Sequence, residues 1–229
     1  MNISHEIIHN IELLKKGACT KFLDMNMQNI LKNKLKKNEY KIYYPYKESE
    51  KVIFYKDKEP NVVLLEIISK DKLEHRKILG SIFSLGVDSS VFGDIVITNN
   101  HYYVYVLDEI KNYFINNLIT IGKSKVKLQE VNINLLDNYK REYQTIEIIS
   151  SSERTDTIIS HLVNINRNKI KEIIKNKDII LNYEILTNSS KKLIIGDTFS
   201  IRKYGKYKYL GIIKETKSGN FVIRIDKYI

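Results

Sequence analysis

The strongest constraint on this chain is the order of its apolar periods between residues 61 and 131. Residues 62–68 form a short run of β-branched and aliphatic side chains, which favours a strand. Residues 73–85 repeat their apolar positions at helical spacing and stop at Gly86. Two further apolar runs, 93–98 and 101–107, meet at Thr98-Asn99-Asn100, a turn chemistry suited to a hairpin. A helical stretch over 108–116 and a strand over 124–131 complete the series. The order is βαββαβ, a ferredoxin-like split unit.

The flanks are read in the same way. Ile7, Ile8, Ile11 and Leu14, then Leu23, Met27, Ile30 and Leu31, predict helices over 3–16 and 20–37, with short strands at 40–44 and 52–55. After a polar bridge and a strand at 143–149, helices are expected at 154–163 and 167–176. Strands are expected near 179–182, 198–202, 207–213 and 220–226. The predicted class is α+β in three parts: an N-terminal α/β region (1–60), a ferredoxin-like domain (61–150) and a C-terminal domain (151–229).

Charge points to the partner. The 229 residues hold 38 Lys and Arg against 27 acidic residues, a formal net charge of +11. Up to residue 150 the balance is 22 basic to 19 acidic, whereas beyond it 16 basic face 8 acidic. A polyanion is expected to meet the C-terminal third. Cys19 is the sole cysteine, so no intramolecular disulfide can form, and a cytoplasmic setting is expected. The first residues lack a signal-peptide pattern and no stretch is apolar enough to span a membrane, so no membrane partner is expected.

Four landmarks occur in order: Arg154-Thr155-Asp156, Asn166-Arg167-Asn168-Lys169, Asp178-Ile179-Ile180-Leu181-Asn182, and Gly196-Asp197-Thr198-Phe199-Ser200-Ile201-Arg202. Together they resemble the S4 RNA-binding domain, of the alpha-L type. Thr155, Ile170 and Lys177 stand where that family usually has Leu, Ala and Gly, and Lys177 affects the geometry of the turn before a strand. Asn166 is placed to cap a helix whose first turns carry Arg167, Lys169 and Lys171, where side-chain charge and the helix start both favour phosphate. Lys175 and Lys177 continue the charge, and Arg202, Lys203, Lys206 and Lys208 add cations with Tyr207 between them. Asp156 is positioned to hold Arg154 or another cation.

Upstream, Phe22-Leu23-Asp24, His75 to Gly80, Leu85-Gly86-Val87 and Phe92-Gly93-Asp94-Ile95-Val96 resemble the YlmH family of bacterial S4-domain proteins. Ser89-Ser90 departs from its usual charged pair. The resemblance implies a cytoplasmic, non-enzymatic RNA-binding protein that docks on ribosomal RNA of the large subunit. It also implies a role in ribosome-associated quality control of subunits obstructed by peptidyl-tRNA, with the tRNA as a further partner; a monomer is expected. Two rival classes are an RNA-modifying enzyme with an appended S4 domain and a cell-division interaction factor.

His5-Glu6-Ile7-Ile8-His9 fits H-E-x-x-H, but no third-ligand signature follows, so a solvated helix face is expected and no metal. Gly122-Lys123-Ser124 lacks the remainder of a P-loop, and no cofactor is expected. Gly80 is read as a close-packing position, with close approach of a phosphate as the alternative. Tyr103 and Tyr105 share a strand face as stacking aromatics do, and with Arg76 and Lys77 they form a candidate secondary RNA surface. Packing within the protein is the competing role for both tyrosines. Phe83, Phe92 and Phe114 are assigned to the core.

Overall fold

The computed structural model describes residues 3–182 and 184–229. It divides into two compact units, Met1–Lys140 and Arg141–Ile229.

In the first unit the elements are α1 (Ile3–Lys15), α2 (Met25–Lys34), β1 (Lys41–Tyr43), β2 (Ile53–Tyr55), β3 (Val62–Ser69), α3 (His75–Ser84), β4 (Phe92–Thr98), β5 (His101–Leu107), α4 (Lys111–Asn117), β6 (Thr120–Ile121) and β7 (Ser124–Val131). The main sheet runs β4-β5-β3-β7-β6 with every pairing antiparallel. Buried Val63, Leu65 and Ile67 of β3 join Ile78 and Ile82 of α3 and Phe114 of α4 in one core. Asn99 and Asn100 both take left-handed φ (48° and 62°), the conformation that a two-residue hairpin turn needs. Gly86 ends α3 at φ 74°.

Helix α2 starts at Met25, five residues later than its apolar pattern suggests, because Asp24 caps it by accepting a hydrogen bond from Met27 N at 2.8 Å. With α1 and the β1–β2 hairpin it encloses a second cluster of Leu14, Leu23, Met27, Leu31, Val52 and Phe54. Asp94 ties this region to the sheet. Its carboxylate accepts from Tyr46 OH (2.8 Å), Glu50 N (2.7 Å) and Lys51 N (3.2 Å). At the neighbouring Gly93, an added Cβ would lie 2.8 Å from the Phe22 ring, so the glycine admits the N-terminal segment against the strand.

The second unit comprises β8 (Tyr143–Ser150), α5 (Thr155–Val163), α6 (Arg167–Lys175), β9 (Ile179–Leu181), β10 (Glu184–Ile185), β11 (Thr198–Ile201), β12 (Gly205–Glu215) and β13 (Phe221–Tyr228). Its sheet runs β10-β9-β11-β12-β13-β8. Ile158, Ile159, Ile170 and Ile174 of the helices pack on Ile148, Phe199, Ile201, Tyr207, Tyr209, Ile223 and Ile225. The sequence reading put a boundary after residue 150, but β8 pairs along its whole length with β13, from Tyr143↔Tyr228 to Ser150↔Phe221. That pairing places residues 143–150 in the second unit. The partner strand lies some seventy residues ahead, beyond the reach of any local pattern.

Candidate nucleic-acid interface

The C-terminal cations are organised around one carboxylate. Asp156, in the first turn of α5, is fully buried and accepts from Arg154 Nε (3.1 Å) and Nη2 (3.0 Å) and from Arg167 Nε (3.0 Å). Burial pushes its carboxyl up. The hydrogen bonds and charges of the two arginines outweigh that effect and hold its pKa at about 2 instead of the usual 3.8. Arg167 uses only Nε on this carboxylate, and its side chain is nearly half exposed, so the rest of the guanidinium fork faces solvent. The buried anion therefore orients two guanidinium groups at the start of α6.

Asn166 caps α6, accepting from Lys169 N at 2.9 Å. Lys169, Lys171 and Lys175 are exposed along the helix while Ile170 and Ile174 face the core. Lys177 occupies the turn after α6 at φ 62°, so the left-handed turn that usually takes a glycine is kept with a lysine in it. In the next turn Arg202 Nη1 donates to Asp178 Oδ1 at 3.0 Å, and Lys203 follows at φ 73°. Asn182 and Asp197 lock β9 to β11 through Nδ2 to Oδ1 (2.7 Å) and Thr198 N to Asn182 Oδ1 (2.9 Å).

Lys206 and Lys208 do not join the α6 group. They alternate along β12 with core-facing Tyr207 and Tyr209, so they lie on the sheet face away from the helices. Lys206 Nζ rests 4.7 Å from the Tyr228 ring centroid.

In the first unit the expected open platform is closed. Tyr105 is fully buried and stacks on Tyr46 at 5.8 Å, while Tyr103 is 7% exposed and stacks on His101. Tyr139 meets Tyr46 edge-on. Tyr46 of the N-terminal segment thus covers the Tyr105 part of that sheet face, with Tyr139 from the residues after β7 against it. Neither tyrosine can act as the stacking surface expected from strand alternation, because alternation identifies a face without revealing what covers it.

Arg76 and Lys77 are exposed on α3, Lys77 paired with Glu74 at 2.7 Å. Phe92 and Phe114 are core, but Phe83 is 47% exposed on the same helix. Gly80 is exposed too, and a Cβ there would meet nothing within 4 Å, so close packing within the chain is not its role. The arginine pair on Asp156 was legible only in part: Arg154 lies two residues away, but Arg167 arrives from the next helix. His5 and His9 lie exposed on α1, and among the described residues no cluster of three or more His, Cys, Asp or Glu side chains could hold a metal. Among those residues no helix is long and apolar enough to cross a membrane.

The βαββαβ sheet lies within the reach of a known domain family. Residues 56–135 match the family model described as "Putative RNA-binding domain in YlmH". Over those residues the chain is similar to the YlmH family, the resemblance that its sequence motifs carry. A similar protein is "Ribosome-associated protein quality control protein P2" of Bacillus subtilis (strain 168), 23% identical over 155 residues, which are 68% of this chain and 60% of that one. The match thus spans less than two thirds of that relative. A solved structure, "Cell division protein ylmH from Streptococcus pneumoniae", aligns with a TM-score of 0.47 at 21% identity, covering 58% of this chain and 94% of the other.

Proposed function

We propose that this chain is a non-enzymatic RNA-binding protein in which a ferredoxin-like RNA-binding domain and a C-terminal S4-type domain act on the same ribosomal target. In this reading it docks on ribosomal RNA of the large subunit and serves quality control of subunits obstructed by peptidyl-tRNA. The observation that carries the reading is the α6 start: two arginines oriented by buried Asp156, an Asn166 cap, and exposed Lys169 and Lys171 on the turns that follow. A phosphate backbone needs fixed cations and free N–H groups, and this cluster supplies both. The family model matched by residues 56–135 and the name of the Bacillus relative agree with an RNA partner and a ribosomal setting.

Lys175, Lys177, Arg202 and Lys203 extend the proposed surface from the exit of α6, whereas Lys206 and Lys208 serve, if at all, a separate contact on the far sheet face. The test is sucrose-gradient sedimentation of the tagged protein in lysate, beside Arg167→Ala/Lys169→Ala. Wild type should travel with large subunits at low salt and leave them as salt rises, since each neutralised phosphate adds to the salt slope. The double variant should stay near the top while retaining the wild-type circular dichroism spectrum. Unchanged co-migration of a folded double variant would refute the assignment.

A further inference from the structure

We infer that the outer face of α3 is the RNA-contacting surface of the first unit, with Gly80 as the point where the RNA backbone touches the helix. The inference rests on the RNA-binding reading above and assigns a site within it.

Over Tyr105 the sheet platform of this unit is covered by Tyr46, with Tyr139 edge-on to that ring. The helical side is open. Along α3, Arg76, Gly80 and Ser84 fall one turn apart on a single stripe, with Lys77 and Phe83 beside it, and all five are exposed. The β6–β7 turn adjoins this stripe: Gly122 N donates to Ser81 Oγ at 3.3 Å, and the methylene chain of Lys77 lies near Gly122. That contact brings the turn carrying exposed Lys123 next to the helix. Arg76, Lys77 and Lys123 thus bring three cations to this side, Lys77 being paired with Glu74.

Gly80 is the feature that calls for an occupant. It is the sixth residue of a ten-residue helix, where alanine would hold the helix better. Apart from its chain neighbours and its own helix backbone, no atom lies within 4 Å of the position its Cβ would take, and its backbone is not left-handed, so no tertiary contact requires a glycine. A glycine there leaves the helix backbone bare one turn from Arg76. A ribose-phosphate strand can then lie against the helix, with Arg76 and Lys123 on its phosphates and half-exposed Phe83 available to an unstacked base. Phosphate is the chemistry that fits, because the face offers donors and positive charge without an apolar groove.

The experiment compares the full chain with Gly80→Ala, Ser84→Ala and Arg76→Ala/Lys123→Ala, using purified large ribosomal subunits as probe and stepping the KCl concentration in a pelleting assay. Gly80→Ala should melt about 3 °C higher than wild type yet bind at least about fivefold more weakly. Arg76→Ala/Lys123→Ala should dissociate at lower KCl with unchanged melting, and Ser84→Ala should match wild type. Stability and binding then move in opposite directions at Gly80, which a merely structural role cannot produce. Wild-type binding that Gly80→Ala leaves intact would overturn this site and leave the α6 assignment standing. Failure of the wild type itself to bind would overturn both.

Discussion

At the scale of single residues, Asp156 is the group on which acid sensitivity should concentrate. Its pKa is depressed in the folded protein, so its contribution is complete above the unfolded value near 3.8 and is lost as the pH falls toward about 2. The shift corresponds to about 2 kcal/mol. Urea unfolding at several pH values should show wild type losing its advantage over Asp156→Asn across that window, with the remaining carboxylates cancelling in the comparison. Lys177 makes the opposite case. A non-glycine residue at φ 62° carries a steric cost, so Lys177→Gly should raise stability by about 1 kcal/mol by thermal denaturation while removing one cation from the proposed surface.

Among the elements, the Gly93-Asp94 pair on β4 matters more for assembly than for contact. Gly93 admits the Phe22 ring and Asp94 anchors the segment from Tyr46 to Lys51, so together they seat the N-terminal helices and hairpin on the sheet. Asp94→Ala removes the acceptor for three donors, two of them backbone N–H groups. It should cost about 3 kcal/mol in chemical denaturation. The same docking is what hides Tyr105, through Tyr46. A motif that resembles a functional signature in the sequence thus works here by closing a surface.

For the whole molecule, the two units have separate cores, and the second begins at β8. A fragment of residues 141–229 should therefore fold alone with a cooperative thermal transition. One of residues 151–229 should not, because it loses Ile148 from the core and leaves β13 with an unpaired edge. Circular dichroism of the two fragments decides this directly.

The sequence by itself determined what depends on near neighbours. The βαββαβ order, the asparagine hairpin, the Gly86 stop, the Asn166 cap and the Arg154–Asp156 contact are all set by residues a few positions apart, where spacing and turn chemistry are decisive. The tertiary structure alone decided the rest. It brought Arg167 to Asp156, joined β8 to β13, sent Lys206 and Lys208 to the far face, buried Tyr105 and exposed Phe83 and Gly80. Each of those outcomes turns on which distant segment packs against a given face. Periodicity states that a face is apolar or polar, but burial is a property of two surfaces, and the second arrives from elsewhere in the chain.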